Sequence, residues 1–206
     1  MNKNIKEILL RNSYAYSLLQ SLSGSFRACR KFVDEYLKIK DNDKVVDVGC
    51  GPGVLLNYID KNIDYHGIDI SEKYIRTARQ RFRGRGEFHL GSFTDVQDDE
   101  RLQGADLVVC RGVFHHLSDA EVLTLLKFAK GILKEDGRLV SYDPCYIDDQ
   151  HWLARLIASN DRGEHVRFVP DLEDLVKEVY EKYDVHVVKD LLRQPSVHNI
   201  MECYKT

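Results

Sequence analysis

The sequence predicts an α/β protein built on a doubly wound, seven-stranded sheet with an antiparallel last strand, preceded by N-terminal helices. Three observations lead there. Short β-branched runs alternate with stretches at helical spacing from residue 44 to residue 183, the pattern of a parallel sheet covered on both faces. The first run breaks into a glycine cluster, VVDVGCGPG at 45–53, in the first βα turn, the usual place for a ligand in such a sheet. The last two runs, DVHVVKDLL (184–192) and SVHNIMECY (196–204), are joined only by RQP. That link is too short for a crossover, so the pair forms an antiparallel hairpin.

The elements follow in order. Residues 4 to about 38 read as two helices, with Ile5, Ile8, Leu9, Tyr16 and Leu19 on one face and SGS at 23–25 as the break. Strands are expected at 44–49, 65–70, 86–92, 105–111 and 137–143, with helices at 53–61, 71–83, 118–134 and 171–183. Ser71 and Ser118 stand at the N-cap positions of the second and third of these helices, and Pro170 just before the fourth. HWLARLIAS (151–159) is a further helix, expected to pack Trp152, Leu153 and Leu156 over the sheet edge.

A chain of 206 residues with 43% hydrophobic and 31% charged residues makes a single globular domain. It divides into N-terminal helices (1–40), a core (41–144), an insert (145–170) and a helix with the terminal hairpin (171–206). The formal charge of −3 weakens the case for nucleic acid. Five scattered cysteines without a CxxC read as reduced thiols of a cytoplasmic protein. No secretion signal or transmembrane run is expected.

The glycine loop decides the ligand class. A dinucleotide loop reads G-x-G-x-x-G, whereas here Gly49, Gly51 and Gly53 leave Val54 in the sixth position. The helix expected after Pro52 offers free N–H groups to an anion, a carboxylate as well as a phosphate. Asp69 ends the second strand about 20 residues after Gly49, the spacing of a ribose-binding acid. Asp47 lies inside the first strand, where an acid suits a cation better than a pyrophosphate. Ribose, carboxylate and positive charge together describe S-adenosylmethionine. The competing bland readings are a tight turn without ligand, and Asp69 as a helix-capping acid.

VVDVGCGPG, HGIDIS, LVVCRGVFHHLSD and LKEDGRLVSYDP, in this order across residues 44–144, resemble the class I S-adenosylmethionine-dependent methyltransferases, above all their small-molecule branch. The terminal hairpin fits the same resemblance. It implies that Asp47, Gly49, Cys50 and Gly51 line the methionine end of the cofactor. Asp69 then takes the ribose hydroxyls, Ile70 packs on the adenine, and Ser92 with Phe93 occupies the place of the family's adenine-binding acid, with Asp95 as a displaced acid. Arg111 lies along the cofactor. The N-terminal segment becomes a lid whose Tyr14 or Tyr16 reaches the methionine group.

GVFHHLSD stands at the carboxyl edge of strand four, where family members place residues facing the transferred methyl. A histidine there can take a proton from a hydroxyl near neutral pH, so His115 or His116 is the candidate base or substrate anchor. Packing and helix capping is the rival role for either. Asp143 ends strand five beside Tyr142, and both are candidates to touch substrate. SYDPCY is not the D/N-P-P-Y motif of amino-group methyltransferases, which follows strand four.

In the insert, NDRGEHVR gathers Arg162, His165 and Arg167, either as an anchor for an anionic acceptor or as a mutually paired charge cluster. Cys145 and His151 lack a second pair of ligands, so no metal is expected. The expected partner is a small-molecule or lipid-linked acceptor, not nucleic acid. A nicotinamide-dependent oxidoreductase and a non-catalytic cofactor-binding protein are the alternatives.

Overall fold

The computed structural model describes residues 25–159, 164–189 and 195–206. Tyr14, Tyr16 and Arg162, all singled out above, lie outside the described residues. Helices are numbered from the first one described.

Seven strands form one path in the order β3-β2-β1-β4-β5-β8-β7. They are β1 (Lys44–Val48), β2 (Asp64–Asp69), β3 (Glu87–Leu90), β4 (Ala105–Arg111), β5 (Leu133–Tyr146), β7 (Lys182–Lys189) and β8 (Val197–Tyr204). A two-residue strand, β6 (Arg167–Phe168), pairs with the far end of β5. β1 to β5 run parallel, while β8 is antiparallel to both β5 and β7. The order reverses between β1 and β4, the switch point at which such sheets bind ligands beyond their carboxyl ends.

One face of the sheet is covered by α3 (Asp119–Ile132) and α5 (Val169–Lys177), which bury Leu125, Ala129 and Val176 against Val46, Val108 and Leu139. The other carries α1 (Ser25–Lys31), a π-helical continuation over Phe32–Leu37, and α2 (Glu72–Arg81). Phe32, Ile75 and Ala78 close over Val45, Val109 and Val140 there. Burial of such side chains contributes roughly 1.5–3 kcal/mol each. The N-caps hold as the sequence predicts. Ser71 accepts from the Tyr74 N–H, and Ser118 forms a reciprocal capping box with Glu121.

The π-helical end is fixed by chemistry the sequence pattern does not show. Arg138 of β5 donates to the carbonyls of Tyr36, at 2.9 Å, and Leu37, and pairs with Glu202 at 2.8 Å. A half-buried guanidinium thus satisfies the last carbonyls of the helix.

Two expectations are corrected. The helix expected over 53–61 is a single 3₁₀ turn, Val54–Asn57. Gly53 sits left-handed at φ 74°, and the Asn57 side chain donates to the Val54 carbonyl at 2.9 Å, competing with helix continuation. No α-helical N-terminus therefore points at the glycine loop. In α4 (Trp152–Ser159) the buried face is Ala154 and Ala158, and Ala154 packs with Cys145 and Val197. Trp152 and Leu156 are exposed instead, at 69% and 50%. Small residues allow the closer approach to β5, and Arg155 stacks over Tyr146 and Phe168.

Candidate active site

The loops beyond β1, β2, β3 and β4 enclose a cleft of about 870 Å³. Gly49, Gly51, Asp69, Ile70, Ser92, Phe93 and His116, each singled out from the sequence, line it. Tyr74, Val113, Glu121 and Thr124 line it too. Val113 belongs to the GVFHHLSD stretch, and no motif marked the other three. Tyr74 reaches the cleft from the first turn of α2 and Thr124 from the second turn of α3, and only the strand order brings them there.

At the glycine loop, Gly51 has φ +55°, and a Cβ placed on it would meet no protein atom within 4 Å. A left-handed backbone that lines a cleft and leaves the space beside it clear is suited to the close approach of a ligand. Gly49 does the opposite, since a Cβ there would meet Val113 Cγ2 at 2.6 Å. It lets the β1 loop close against the β4 loop.

Asp69 is half-buried and holds the loop together. Its Oδ2 accepts from the Gly51 N–H at 2.9 Å, and its Oδ1 from the Ser71 N–H at 2.8 Å. Each oxygen keeps a second lone pair for a ligand hydroxyl, so the ribose and the loop-organising roles are compatible. Ile70 is 77% exposed, an apolar side chain open to the cleft. Beyond β3, Ser92 hydrogen-bonds Asp95 through both its N–H, at 2.7 Å, and its hydroxyl, at 2.8 Å. Those bonds hold the Asp95 carboxyl below its ordinary range, and they place Asp95 as the organiser of the Ser92 turn.

Asp47 and Cys50 are buried behind the loop. Asp47 accepts from the Tyr65 hydroxyl at 2.6 Å. Burial pushes its carboxyl up to about 6, against the pull of the Tyr65 hydrogen bond and the Arg111 charge. Arg111 shares that face of the sheet with Cys29 and Tyr142, and its charge acts on both. Tyr142 itself stacks on His198, with centroids 4.8 Å apart, and packs on Phe32 at 5.3 Å.

The two histidines diverge. They share a 3₁₀ turn, Phe114–His116, with ring centroids 4.0 Å apart. His116 is exposed at the cleft wall, whereas His115 is buried. Asp143 Oδ1 lies 2.7 Å from His115 Nδ1 and accepts from the His115 N–H at 3.2 Å. Burial raises the Asp143 carboxyl above its ordinary value, and the hydrogen bond from His115 opposes the rise.

The insert closes this turn from outside. The His165 N–H donates to the His115 carbonyl at 3.0 Å. Arg167 donates to the carbonyls of Phe114, at 2.9 Å, Leu117, at 2.6 Å, and His165, at 3.0 Å. It also pairs with Asp119 at 2.7 Å. Its fork is thus committed to the histidine turn and does not line the cleft.

The sequence model of a methyltransferase-domain family matches residues 22–188. The chain belongs to that family. Among curated relatives, the methyltransferase domain is 26% identical over 132 residues to a phosphoethanolamine N-methyltransferase of Plasmodium falciparum, covering 63% of this chain and 49% of that protein. It is 28% identical over 120 residues to the cyclopropane-fatty-acyl-phospholipid synthase of Escherichia coli K12, covering 57% of this chain and 30% of that protein. The chain thus spans half or less of both. Among solved structures, the pyocyanin biosynthetic protein PhzM matches 96% of this chain and 61% of its own, with a TM-score of 0.71 at 17% identity, a likeness of fold. Among the described residues, no helix of this methyltransferase domain is long and apolar enough to cross a membrane.

Proposed function

We propose that the chain is an S-adenosylmethionine-dependent methyltransferase acting on a small-molecule or lipid-linked acceptor, with His115 as proton acceptor and S-adenosylhomocysteine as product. The observation that carries this reading is the order of groups along the sheet. Ser92 and Phe93 beyond β3 suit an adenine, Asp69 at the end of β2 a ribose, and the clear space at Gly51 beyond β1 the chain that follows. The His115–Asp143 pair stands just beyond β4, where β5 runs on past its last pairing with β4, one step further along the same direction.

S-adenosylmethionine, when bound, supplies a methyl group on a cationic sulfur. Asp47, buried behind Gly49 and Gly51, supplies negative potential at that end of the cleft. Asp143 holds His115 through Nδ1, which leaves Nε2 to take the acceptor's proton as the nucleophile attacks the methyl carbon in line. The Asp143 carboxylate then stabilises the imidazolium. His116 acts as a wall of the cofactor cleft, and Arg167 and His165 hold the turn in place.

The acceptor class is supported by the names of the relatives, which act on phosphoethanolamine and on fatty-acyl phospholipid. A cytoplasmic setting is supported by five cysteines that are all buried free thiols.

The test is transfer of labelled methyl from S-adenosylmethionine to extract fractions by the wild type, His115→Ala, His116→Ala and Asp143→Asn. His115→Ala is expected to lose 10²–10⁴-fold in turnover with donor affinity retained. Full activity in His115→Ala refutes the assignment.

A further inference from the structure

At the outer edge of the sheet, away from the proposed base, β2 and β3 bring three metal-ligating side chains onto one face. His66 lies opposite Glu87 in the parallel register, and His89 follows two residues after Glu87. Ligand atoms of His66, Glu87 and His89 all lie within 4.8 Å of one another. Both histidines are buried, and Glu87 is exposed. None of the three takes part in the chemistry proposed above.

The imidazoles are arranged in a particular way. His66 Nδ1 faces His89 Nε2 at 3.2 Å. The outward nitrogens each face a carboxylate, His66 Nε2 with Asp64 at 3.0 Å and His89 Nδ1 with Asp99 at 3.6 Å. The Asp64 carboxylate, at hydrogen-bond distance, favours a proton on His66 Nε2 and leaves the His66 Nδ1 lone pair facing the His89 ring.

We infer that His66 Nδ1, His89 Nε2 and the Glu87 carboxylate form a binding site for a divalent transition-metal ion of the zinc type. Two nitrogens bound to tetrahedral zinc at about 2.0–2.1 Å lie about 3.3 Å apart, close to the spacing found. Carboxylates on the outer nitrogens of ligating histidines are the usual second layer of such sites, fixing ring orientation and basicity. Two imidazoles and one carboxylate suit zinc, and copper or nickel after it, rather than calcium or magnesium. Glu87 is now paired with Arg101 at 2.8 Å, and Arg101 also holds Asp99 at 2.6 Å. The Glu87–Arg101 pair is exposed on both sides, with relative exposures of 55% and 59%. Exposed pairs of this kind contribute little, so Glu87 is free to turn to an ion. The bound ion would staple β2 to the edge strand β3.

The experiment is calorimetric titration of the metal-stripped full chain with zinc chloride, followed by X-ray absorption of the loaded protein. One ion per chain is expected, with nitrogen and oxygen neighbours and a raised Tm. His89→Gln and His66→Gln are expected to weaken binding more than tenfold. Asp99→Asn is expected to weaken it about tenfold by freeing the ring. Glu87→Gln, an exposed change that leaves both rings in place, gives the same answer if a histidine variant fails to fold. Absence of binding means that the rings share a proton, and overturns the inference. So does sulfur in the absorption spectrum, or binding unchanged in Glu87→Gln and the histidine variants.

Discussion

His115 Nδ1 lies 2.7 Å from Asp143 Oδ1, and the same oxygen accepts the His115 backbone N–H at 3.2 Å. One carboxylate oxygen therefore fixes both the ring and the turn that carries it. A buried acid that orients an imidazole in this way sets its tautomer and leaves the opposite nitrogen for proton transfer. The neighbouring His116, 4.0 Å away ring to ring, is exposed and lines the cleft. Asp143→Asn is expected to lower kcat by at least tenfold while leaving the dissociation constant of S-adenosylhomocysteine within about twofold. Equal losses in both quantities would assign Asp143 to cofactor binding.

Arg167 acts through the histidine turn. Arg167→Lys keeps the charge but loses the fork that spans three carbonyls, and a misplacement of about 1 Å at the turn is enough for a loss near 10²-fold. A fall in kcat of roughly ten- to a hundredfold is expected, with acceptor KM little changed. A rise in acceptor KM at constant kcat would show instead that the guanidinium binds an anionic acceptor.

Gly51→Ala separates stability from binding. The added Cβ meets no protein atom, so the cost to the fold is limited to the left-handed backbone, about 1–2 kcal/mol. The same methyl enters the space left for the cofactor, and affinity for S-adenosylmethionine is expected to fall more than tenfold. Urea denaturation and calorimetry on one preparation check both. Unchanged affinity would place the cofactor elsewhere.

Asp47 makes stability depend on pH. Its carboxyl stands at about 6 in the folded chain against 3.8 in its ordinary state, chiefly through burial. The group is neutral in both states below about pH 4, and above about pH 6 the folded state carries an ionised buried acid at a cost of about 3 kcal/mol. The contribution therefore favours folding at low pH and is lost as pH rises from about 4 to 6. Asp47→Asn, which keeps an acceptor for the Tyr65 hydroxyl, is expected to be more stable than wild type at pH 7.5, with no gain at pH 4. Its affinity for the cationic donor falls. A gain of equal size at both pH values contradicts this account.

Much of the architecture is legible in local pattern. The alternation of strands and helices, the N-caps at Ser71 and Ser118 and the terminal hairpin all follow from spacing and turn chemistry within a few residues. The failures have tertiary causes. The helix expected after Pro52 shrinks to one 3₁₀ turn because Gly53 is left-handed and Asn57 bonds backward, neither visible in hydrophobic periodicity. The buried face of α4 is the alanine face, since it is the distance to β5 that decides which side chains fit. The sequence also leaves His115 and His116 equivalent. Only the pairing of β4 with β5 puts Asp143 beside the first of them. His66, Glu87 and His89 stand apart in the sequence and are brought together only by the register between β2 and β3.

The proposed methyl transfer requires a cleft shaped for an adenosyl sulfonium. Calorimetric titration of the wild-type chain with S-adenosylhomocysteine, with NAD as the comparison, tests it most directly. One molecule bound per chain, weakened in Gly51→Ala and absent for NAD, is the predicted result. Binding of NAD with no response to S-adenosylhomocysteine would contradict it.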